Sequence, residues 1–318
     1  MFHPEYIINE NVNVMMFSRN INAVPILEQQ LDKESWGDLS RNPNAIHILE
    51  QNLDKVEWCL LSRNPNAIPI LEKNLDKVQW ECLSENPNAI HILEQNLDKV
   101  DWSILSTNPN AIHILEQNLD KVYWPYLFQN PNAIRLLEQN MDKISWYWLS
   151  QNPNAVHLLE QNLDKVDWWE FSMLPTAVPI LEQHLDKVNW YSLSANPNAI
   201  RLLERNIDKI RWDWLSMNPN AIHLLKKYLH TMKVDWWFLS YNQNAIHILE
   251  ENMGKISWFW LSNNPNAILL LARLNTEKMR ENCKHFAEEL AAYVFRPVRL
   301  VRICKKYMLE FDEYFEQV

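Results

Sequence analysis

The chain contains very little glycine and no long apolar run. Only two of its 318 residues are glycine, and no run of alternating β-branched residues lies between glycine turns, so the pattern of a hairpin-rich β fold is absent. No stretch approaches 18 consecutive apolar residues, and the N-terminus lacks the basic and apolar regions of a secretory signal. We therefore expect an all-helical protein that is neither secreted nor inserted in a membrane.

Paired-cysteine and catalytic motifs are also missing. The sequence has no Gly-rich phosphate loop, no HExxH motif and no GxSxG motif. His47 and its equivalents occupy one place in six of the twelve copies, one histidine per copy, whereas a metal site needs several ligands within a few ångströms. We therefore predict no enzymatic activity, no metal and no cofactor. The four cysteines lack CxxC spacing, and we expect reduced thiols in an intracellular protein at Cys59, Cys82, Cys283 and Cys304.

The net charge of −10 arises largely from a repeated unit. Nine copies each carry one Glu, one Asp and one Lys at fixed places, as at Glu50, Asp54 and Lys55. The acidity thus follows from the scaffold. It disfavours nucleic acid as a partner, because binding to nucleic acid normally needs a basic footprint.

The unit is a tandem repeat with a step of 22 residues. Tryptophan recurs at positions 36, 58, 80, 102, 124, 146, 168, 190 and 212, and then at 236 and 258 after one two-residue insertion. Tripeptides of the Asn-Pro-Asn type begin at 20, 42, 64, 86, 108, 130, 152, 174, 196, 218, 242 and 264. Twelve units this short must stack on their neighbours, which predicts an α-solenoid, elongated and capped at both ends.

Each copy is predicted to contain two short antiparallel helices, called helix A and helix B. In the third copy, Asp54 is the expected N-cap of helix A, which buries Trp58 as the inter-helix anchor. Helix A must end by Arg63, because Asn64 precedes Pro65 and the residue before a proline is pushed out of the helical region.

Helix B is expected to begin just after Asn66, with that asparagine as its N-cap. Pro69 then falls in the first turn, where a missing N–H is harmless. The helix should end near Asn74, and we expect this residue in the left-handed conformation that ends many helices.

The ends of the chain depart from the unit. Val14 stands where tryptophan is expected, which is typical of a capping copy. We predict an N-terminal cap over residues 1–13, an α-solenoid over 14–274 with a longer connection at the insertion near 226–233, and a helical C-terminal cap over 275–318. Basic residues around Pro297 form either the solvated face of that cap or a docking surface for an acidic partner.

The unit W-x-x-L-S-x-N-P-N-A-I-x-x-L-E-x-N-L-D-K-V resembles tandem repeats found in proteins of the nucleocytoplasmic giant DNA viruses. The similarity covers roughly residues 14–275. The segment Ala292–Leu300 also resembles a Phe-x-Pro-x-Arg-Leu ending common on proteins of those viruses. The resemblance implies a viral protein made in an infected cell, located in the host cytoplasm or in the virion, and it brings no catalytic residues.

Four places differ from copy to copy: the residue before tryptophan, the two residues after it and the residue after serine. On helix A they span an arc of about 160° opposite the apolar face, at 100° per residue. Late copies carry aromatic residues there, and early copies carry an arginine ladder. The candidate partner-binding residues are Tyr126, Tyr147, Trp148, Trp169, Tyr191, Trp214, Trp237, Phe238, Phe259, Trp260, Arg19, Arg41 and Arg63.

The aromatic stripe has two interpretations. Adjacent copies can bury the rings against each other, or the rings can line a groove for a partner, since Trp and Tyr dominate interface energetics. The second interpretation predicts a scaffold that binds a protein or peptide. The alternatives are a single-stranded nucleic-acid reader that stacks bases on the rings, and a virion or assembly component. The sequence does not determine the oligomeric state.

Overall fold

The chain is built almost entirely of short helices that follow the 22-residue step. The structure, a computed structural model, describes residues 6–29, 35–230 and 234–274. Within them each copy contributes one helix A and one helix B that pack on neighbouring copies, which confirms the predicted α-solenoid. The predicted C-terminal cap, the basic residues around Pro297, the giant-virus-like ending, Cys283 and Cys304 all lie outside the described residues.

The helices are four to seven residues long. Helices A are α1 Val14–Arg19, α3 Trp36–Arg41, α5 Trp58–Arg63, α7 Trp80–Ser84, α9 Trp102–Leu105, α11 Trp124–Leu127, α13 Trp146–Leu149, α15 Trp168–Met173, α17 Trp190–Ala195, α19 Trp212–Met217, α21 Trp236–Tyr241 and α23 Trp258–Asn263. Helices B are α2 Val24–Leu27, α4 Ile46–Glu50, α6 Ile68–Lys73, α8 Ile90–Glu94, α10 Ile112–Gln117, α12 Ile134–Glu138, α14 Val156–Glu160, α16 Val178–Leu181, α18 Ile200–Glu204, α20 Ile222–Tyr228, α22 Ile246–Glu250 and α24 Ile268–Leu271. Short 3-10 helices lie at Met141–Lys143, Pro175–Ala177, Ile207–Lys209, Met253–Lys255 and Pro265–Ala267.

Helix A ends where the Asn-Pro rule predicts but begins later than expected. In the third copy it ends at Arg63 and begins at Trp58, with Glu57 at the N-cap position. The predicted cap, Asp54, lies in the preceding turn, so that prediction was wrong. In other copies the residue directly before tryptophan provides the cap: the Asp101 carboxylate accepts a hydrogen bond from the Ile104 N–H at 3.0 Å.

The asparagines of the Asn-Pro-Asn turn connect copies and do not cap helix B. Helix B begins at Ile68, one residue later than predicted, and no side chain caps it. The Asn66 amide instead donates to the Pro43 carbonyl of the preceding copy at 2.9 Å. Pro69 does lie in the first turn, as predicted.

The turn begins with asparagine in eleven of the twelve copies, and this asparagine is buried and bonds to the neighbouring copy. Asn64 is 1% exposed. Its amide donates to the Ser40 and Asn42 carbonyls of the preceding copy at 3.0 and 3.1 Å, and its carbonyl oxygen accepts from the Asn66 N–H at 3.0 Å. A buried side chain with its donors and acceptor satisfied in this way fixes the register between copies.

Asn74 ends helix B without adopting the left-handed conformation. Its φ is −135° and its ψ is 44°, so the predicted conformation was wrong. The Asn74 side-chain amide donates to the Ile70 carbonyl at 2.8 Å. A side chain thus satisfies a carbonyl that the helix end leaves free, and neither glycine nor a positive φ is needed.

The core is formed by leucine, alanine and serine, and the repeated tryptophan is only half-buried. In the third copy Leu61, Ala67 and Leu71 are fully buried. The Trp58 ring lies at the edge of this core, and the Lys77 ammonium of the next copy lies 5.2 Å from the ring centroid. The predicted burial of Trp58 as the inter-helix anchor was therefore wrong: the ring and a lysine stem together cover the core.

Residues Asn9–Leu271 form one compact unit whose first and last copies pack against each other. Helix α1 contacts α23, and the Asn20 amide donates to the Ser262 and Asn264 carbonyls at 3.2 and 2.9 Å. Asn64 makes the two equivalent bonds between successive copies. The expected elongated array is therefore wrong for this unit, because its last apolar face is covered by its own first copy.

The described part of the second unit is a two-stranded antiparallel sheet. Strand β1, Tyr6–Ile8, pairs with strand β2, Ala272–Leu274. Tyr6 lies opposite Leu274, and Ile8 lies opposite Ala272. The sequence did not predict this sheet, since the two strands are each three residues long and are separated by the whole repeat array.

The helix B that precedes the two-residue insertion is the longest of the described helices B. Helix α20 runs to Tyr228 and is seven residues long, whereas the other helices B have four to six residues. The Asn242 amide still donates to the Ser216 and Asn218 carbonyls at 3.0 Å each. Residues 231–233 of the predicted longer connection lie outside the described residues, and the asparagine bonding between copies is the same across the insertion.

Candidate interaction face on helices A

The four variable places lie side by side in neighbouring copies in a fixed register. The N–H of the residue before tryptophan donates to the serine hydroxyl of the preceding copy, as from Arg211 to Ser194 at 3.0 Å. This bond sets the Arg211 guanidinium over the Tyr191 ring, 3.9 Å from its centroid. The residue before tryptophan therefore lies over the residue that follows tryptophan one copy earlier.

The same register is found elsewhere in the array. A Cβ placed on Gly37 would come within 2.8 Å of a Glu57 side-chain oxygen, and these residues occupy the places of Tyr191 and Arg211. We use "helix A face" for the surface formed by the four variable places of all copies.

Helices A form the more closely packed layer of the unit Asn9–Leu271. Neighbouring helices A contact each other through most of the array, whereas neighbouring helices B approach less closely. In an array that closes on itself, the layer with the shorter spacing lies on the inner side. The side chains of the helix A face therefore converge, which accounts for ring contacts between separate copies.

The predicted aromatic residues divide into exposed and half-buried rings. Those directly after tryptophan are the most exposed, with 55% of Trp237 and 48% of Tyr147 accessible. The other exposed rings are Tyr126, Trp169, Tyr191 and Phe259. The half-buried rings are Trp148, Trp214, Phe238 and Trp260.

Two groups of rings contact one another along this face. In the first, the Tyr191 cluster, Trp169 lies 6.1 Å from Tyr191 and 6.0 Å from Trp214, measured between centroids. Trp169 and Trp214 meet across the copy between them, where the variable place holds the small residue Ser192. Each ring thus packs partly on its neighbours, as the first interpretation of the stripe expects, yet the outer rings stay accessible, as the second requires.

The second group, the Trp237 cluster, spans copies eleven and twelve. Trp260 lies 6.0 Å from Trp237, 5.5 Å from Tyr241 and 5.3 Å from Phe259, measured between centroids. The Trp260 indole N–H is buried and has no hydrogen-bond partner among the described residues. Tyr241 was not among the predicted site residues, because it follows serine, the place that carries arginine in the early copies.

The predicted arginine ladder is not a set of free cations. Arg19 pairs with Asp38, and Arg63 pairs with Glu85 at 2.6 Å. Arg41 is exposed and makes no ion pair with the residues the structure describes. Two of the three arginines thus bind carboxylates of the next copy.

The helix A face is acidic. It carries four arginines, Arg19, Arg41, Arg63 and Arg211. It carries nine carboxylates, Asp38, Glu57, Glu81, Glu85, Asp101, Asp167, Glu170, Asp213 and Asp235. The excess of negative charge is therefore a property of this face as well as of the repeated turns, and it repels a polyanion.

Two carboxyl groups of this face have shifted pKa values. Burial raises the pKa of Asp101, but hydrogen bonds from the Ser103 hydroxyl and from the backbone N–H groups of Ile104 and Ser103 outweigh burial and lower it below 3.8. Burial and repulsion by Asp167 raise the pKa of Glu170 above its ordinary value. Glu170 and Asp167 thus form a negative site beside the exposed ring of Trp169.

Cys59 and Cys82 form a disulfide, with their Cα atoms 5.5 Å apart. The prediction of reduced thiols was wrong for these two residues. Cys59 follows tryptophan directly in one copy, and Cys82 is the second residue after tryptophan in the next. The stacking of helices A brings these unequal places together, which spacing along the sequence did not show.

The recurrent histidines form pairs and not clusters. The His91 imidazole lies 2.7 Å from a Glu72 carboxylate oxygen of the preceding copy, and His157 lies 3.0 Å from Glu138. Within residues 6–29, 35–230 and 234–274, no group of three or more His, Cys, Asp or Glu side chains is placed to hold a metal ion.

An open recess of about 740 Å³ adjoins the Tyr191 cluster. Tyr191, Arg211, Trp212, Asp213 and Asp235 are among its lining residues. Its walls therefore combine aromatic rings with charges of both signs.

No protein-family model, curated protein or solved structure matches the chain. Among the described helices, none is both long and apolar enough to cross a bilayer.

Proposed function

We propose that the chain is a non-enzymatic scaffold that binds a peptide or protein along the helix A face. The observation that carries the proposal is the row of exposed rings directly after tryptophan, in particular Tyr147, Trp169 and Trp237. Exposed aromatic patches of this kind mark interaction sites, because Trp and Tyr contribute most to interface energetics.

The scaffold does not need these rings for its own stability. Leu61, Ser62 and Ala67 and their equivalents are fully buried in copies with and without aromatic residues on the face. Copies two to five stack with the same asparagine bonds although they carry Gly37, Cys59, Glu81 and Ser103 at the place after tryptophan. The rings therefore add binding area to a uniform support.

A variant without the exposed rings tests the proposal. We expect Tyr147→Ser, Trp169→Ser and Trp237→Ser together to weaken binding of peptides selected on the wild-type protein by 100-fold or more, roughly 3 kcal/mol or more in total at about 1–2 kcal/mol for each anchoring ring. Peptides are selected from a random displayed library, and their affinities are measured by fluorescence anisotropy.

Exposed leucines on the repeated turns supply a matched control. Leu75, Leu119 and Leu185 are exposed to a similar degree but lie away from the helix A face. Changing these three to serine should leave the affinities unchanged, with both variants retaining helical circular dichroism. Equal loss in the two variants, or unfolding of the ring variant alone, would refute a binding role for the face.

The acidic character of the helix A face also bears on the alternatives. A single-stranded nucleic-acid reader needs cations beside its stacking rings, but in the aromatic copies only Arg211 occupies a variable place as a cation. We therefore favour a polypeptide partner over nucleic acid. The sequence resemblance supports the further proposal that this scaffold acts in the cytoplasm of a virus-infected cell or in the virion.

A further inference from the structure

Arg211 shows how this face accommodates a cation. Its guanidinium stacks on the Tyr191 ring at 3.9 Å from the centroid and donates a hydrogen bond to the Tyr191 hydroxyl. Asp213 lies 3.7 Å from the same guanidinium. An aromatic ring with a carboxylate beside it thus binds one positive charge that the chain itself supplies.

Two copies further along, the corresponding place lacks its cation. Ser257 precedes the tryptophan of copy twelve, and its N–H donates to the Ser240 hydroxyl at 2.9 Å. Arg211 makes the same bond to Ser194, so the two backbones lie alike. Ser257 is therefore placed over Trp237 as Arg211 is placed over Tyr191. The serine side chain is too short to cover the ring, and Trp237 is the most exposed of the candidate rings.

The surroundings of Trp237 favour a positive charge. The Asp235 carboxylate accepts hydrogen bonds from the N–H groups of Trp237 and Phe238 at 2.8 and 3.1 Å and so lies at the base of the ring. The variable places of copies eleven and twelve hold Asp235 as their single charged residue. A cation arriving from a partner would meet aromatic faces and a carboxylate without a competing lysine or arginine on these variable places, since the nearby Lys255 ammonium lies over the Trp236 ring, 5.0 Å from its centroid.

A second ring of the face has a comparable environment. Tyr147 is 48% exposed, and the register places Asp167 over it, where Tyr191 has Arg211. Glu170, whose pKa is raised by burial and by repulsion from Asp167, adds a second carboxylate nearby. The negative charge here has no internal partner of opposite sign on the variable places of copies seven and eight.

We propose that the helix A face binds a basic peptide, with an arginine or lysine side chain of the partner on the Trp237 ring in the place that Arg211 occupies on Tyr191. This inference rests on the proposed function and names its partner class. The opposite charges of face and partner would speed association and select against acidic or neutral segments.

The test supplies the missing cation from within the chain. Ser257→Arg should place a guanidinium on Trp237 and exclude the partner's cation, whereas Ser257→Met adds a side chain of similar length without charge. The probe is a fluorescein-labelled twelve-residue peptide of repeated Arg-Gly-Ser, and its control replaces each arginine with citrulline, which has the same shape and no charge. Anisotropy titrations at low salt measure both affinities.

We expect the arginine peptide to bind wild type about tenfold more tightly than the citrulline peptide, and Ser257→Arg to lose about five- to tenfold of that affinity. Ser257→Met should retain most of it. Arg211→Ala should strengthen binding about two- to fivefold, because it frees the Tyr191 ring for a second partner cation.

Equal binding of the two peptides would overturn the inference, as would equal losses in Ser257→Arg and Ser257→Met. Absence of binding by either peptide would also overturn it. The proposed function is judged separately by the displayed library: neutral peptides that bind wild type and fail on the ring variant would leave the scaffold role intact while removing the basic partner.

Discussion

At the scale of the residue, asparagine ends the short helices and joins neighbouring copies, roles that glycine and long helix–helix contacts have in other folds. Asn64 holds three neighbouring backbone groups in a buried position, and Asn74 ends a helix by bonding its last turn. The sequence showed that asparagine recurs at turns, and it suggested capping, because that is the common role of asparagine beside a helix. Bonds to the preceding copy were not predictable, since they depend on how two copies stack.

The buried asparagine of a single copy should contribute more to stability than its exposed neighbour. Asn86→Leu removes donors to the Ser62 and Asn64 carbonyls, at 2.8 and 3.0 Å, and leaves both buried oxygens unsatisfied. We expect the free energy of unfolding to fall by about 2–4 kcal/mol. Urea denaturation followed by circular dichroism measures the change.

Asn88 provides the control for this substitution. Its amide is exposed and donates to the Pro65 carbonyl at 3.0 Å, so Asn88→Ala should cost no more than about 1 kcal/mol, because water can replace the bond. A loss in Asn86→Leu as small as that in Asn88→Ala would show that the buried bonds do not set the stacking.

At the scale of the element, each helix boundary was predictable to the extent that a local steric rule governs it. The end of helix A followed from Asn64 and Pro65, because the clash with proline acts within the chain. Its beginning was predicted too early. Asp54 is close enough in sequence to cap a helix that contains Trp58, but the chain makes one more turn between the two residues. The actual cap is the residue before tryptophan. Because this residue varies between copies, the sequence indicated a role in binding and not in helix capping.

The cap at Asp101 should show a defined pH dependence. Its lowered pKa means that the folded state favours the carboxylate, so its contribution is present above pH 3.8 and is lost as the pH falls through the lower value of the folded state. We expect Asp101→Ala to reduce stability by about 1 kcal/mol at pH 7 and by less at pH 3. Thermal unfolding of variant and wild type at the two pH values measures the difference.

Gln79 occupies the same place one copy earlier and makes no capping bond with its side chain. Gln79→Ala should therefore change stability by less than about 0.5 kcal/mol at either pH. A deficit of Asp101→Ala that stayed constant between pH 7 and pH 3 would contradict a role for the ionised carboxylate.

At the scale of the whole molecule, the sequence predicted stacking but not closure of the unit Asn9–Leu271. Closure of twelve copies requires a rotation of about 30° from each copy to the next. No single residue encodes that angle, because it accumulates from small differences in spacing between helices A and helices B. The disulfide between Cys59 and Cys82 escaped prediction for a related reason: the relative shift of stacked helices is a property of the assembled array.

The junction between the last and first copies should be the place where this unit opens. The Asn20 amide bonds to the Ser262 and Asn264 carbonyls, and the Asn22 amide bonds to the Pro265 carbonyl at 2.9 Å. Unlike interior copies, copies twelve and one are not consecutive in the chain, and besides these bonds they are joined by the Asn13 N–H, which donates to the Ser262 hydroxyl at 2.9 Å. We expect Asn20→Leu with Asn22→Ala to separate them, and small-angle X-ray scattering should show a larger radius of gyration and maximum dimension.

The interior pair Asn86→Leu with Asn88→Ala is the matched control, because it removes the same bonds between two copies that a connecting segment still holds together. It should lose comparable stability, about 2–4 kcal/mol, while the scattering dimensions stay those of wild type. If the two double variants scatter alike, the bonds of Asn20 and Asn22 are not what closes the unit. If only the first expands, closure depends on the same asparagine contacts that join successive copies, and the convergence of rings on the helix A face depends on it as well.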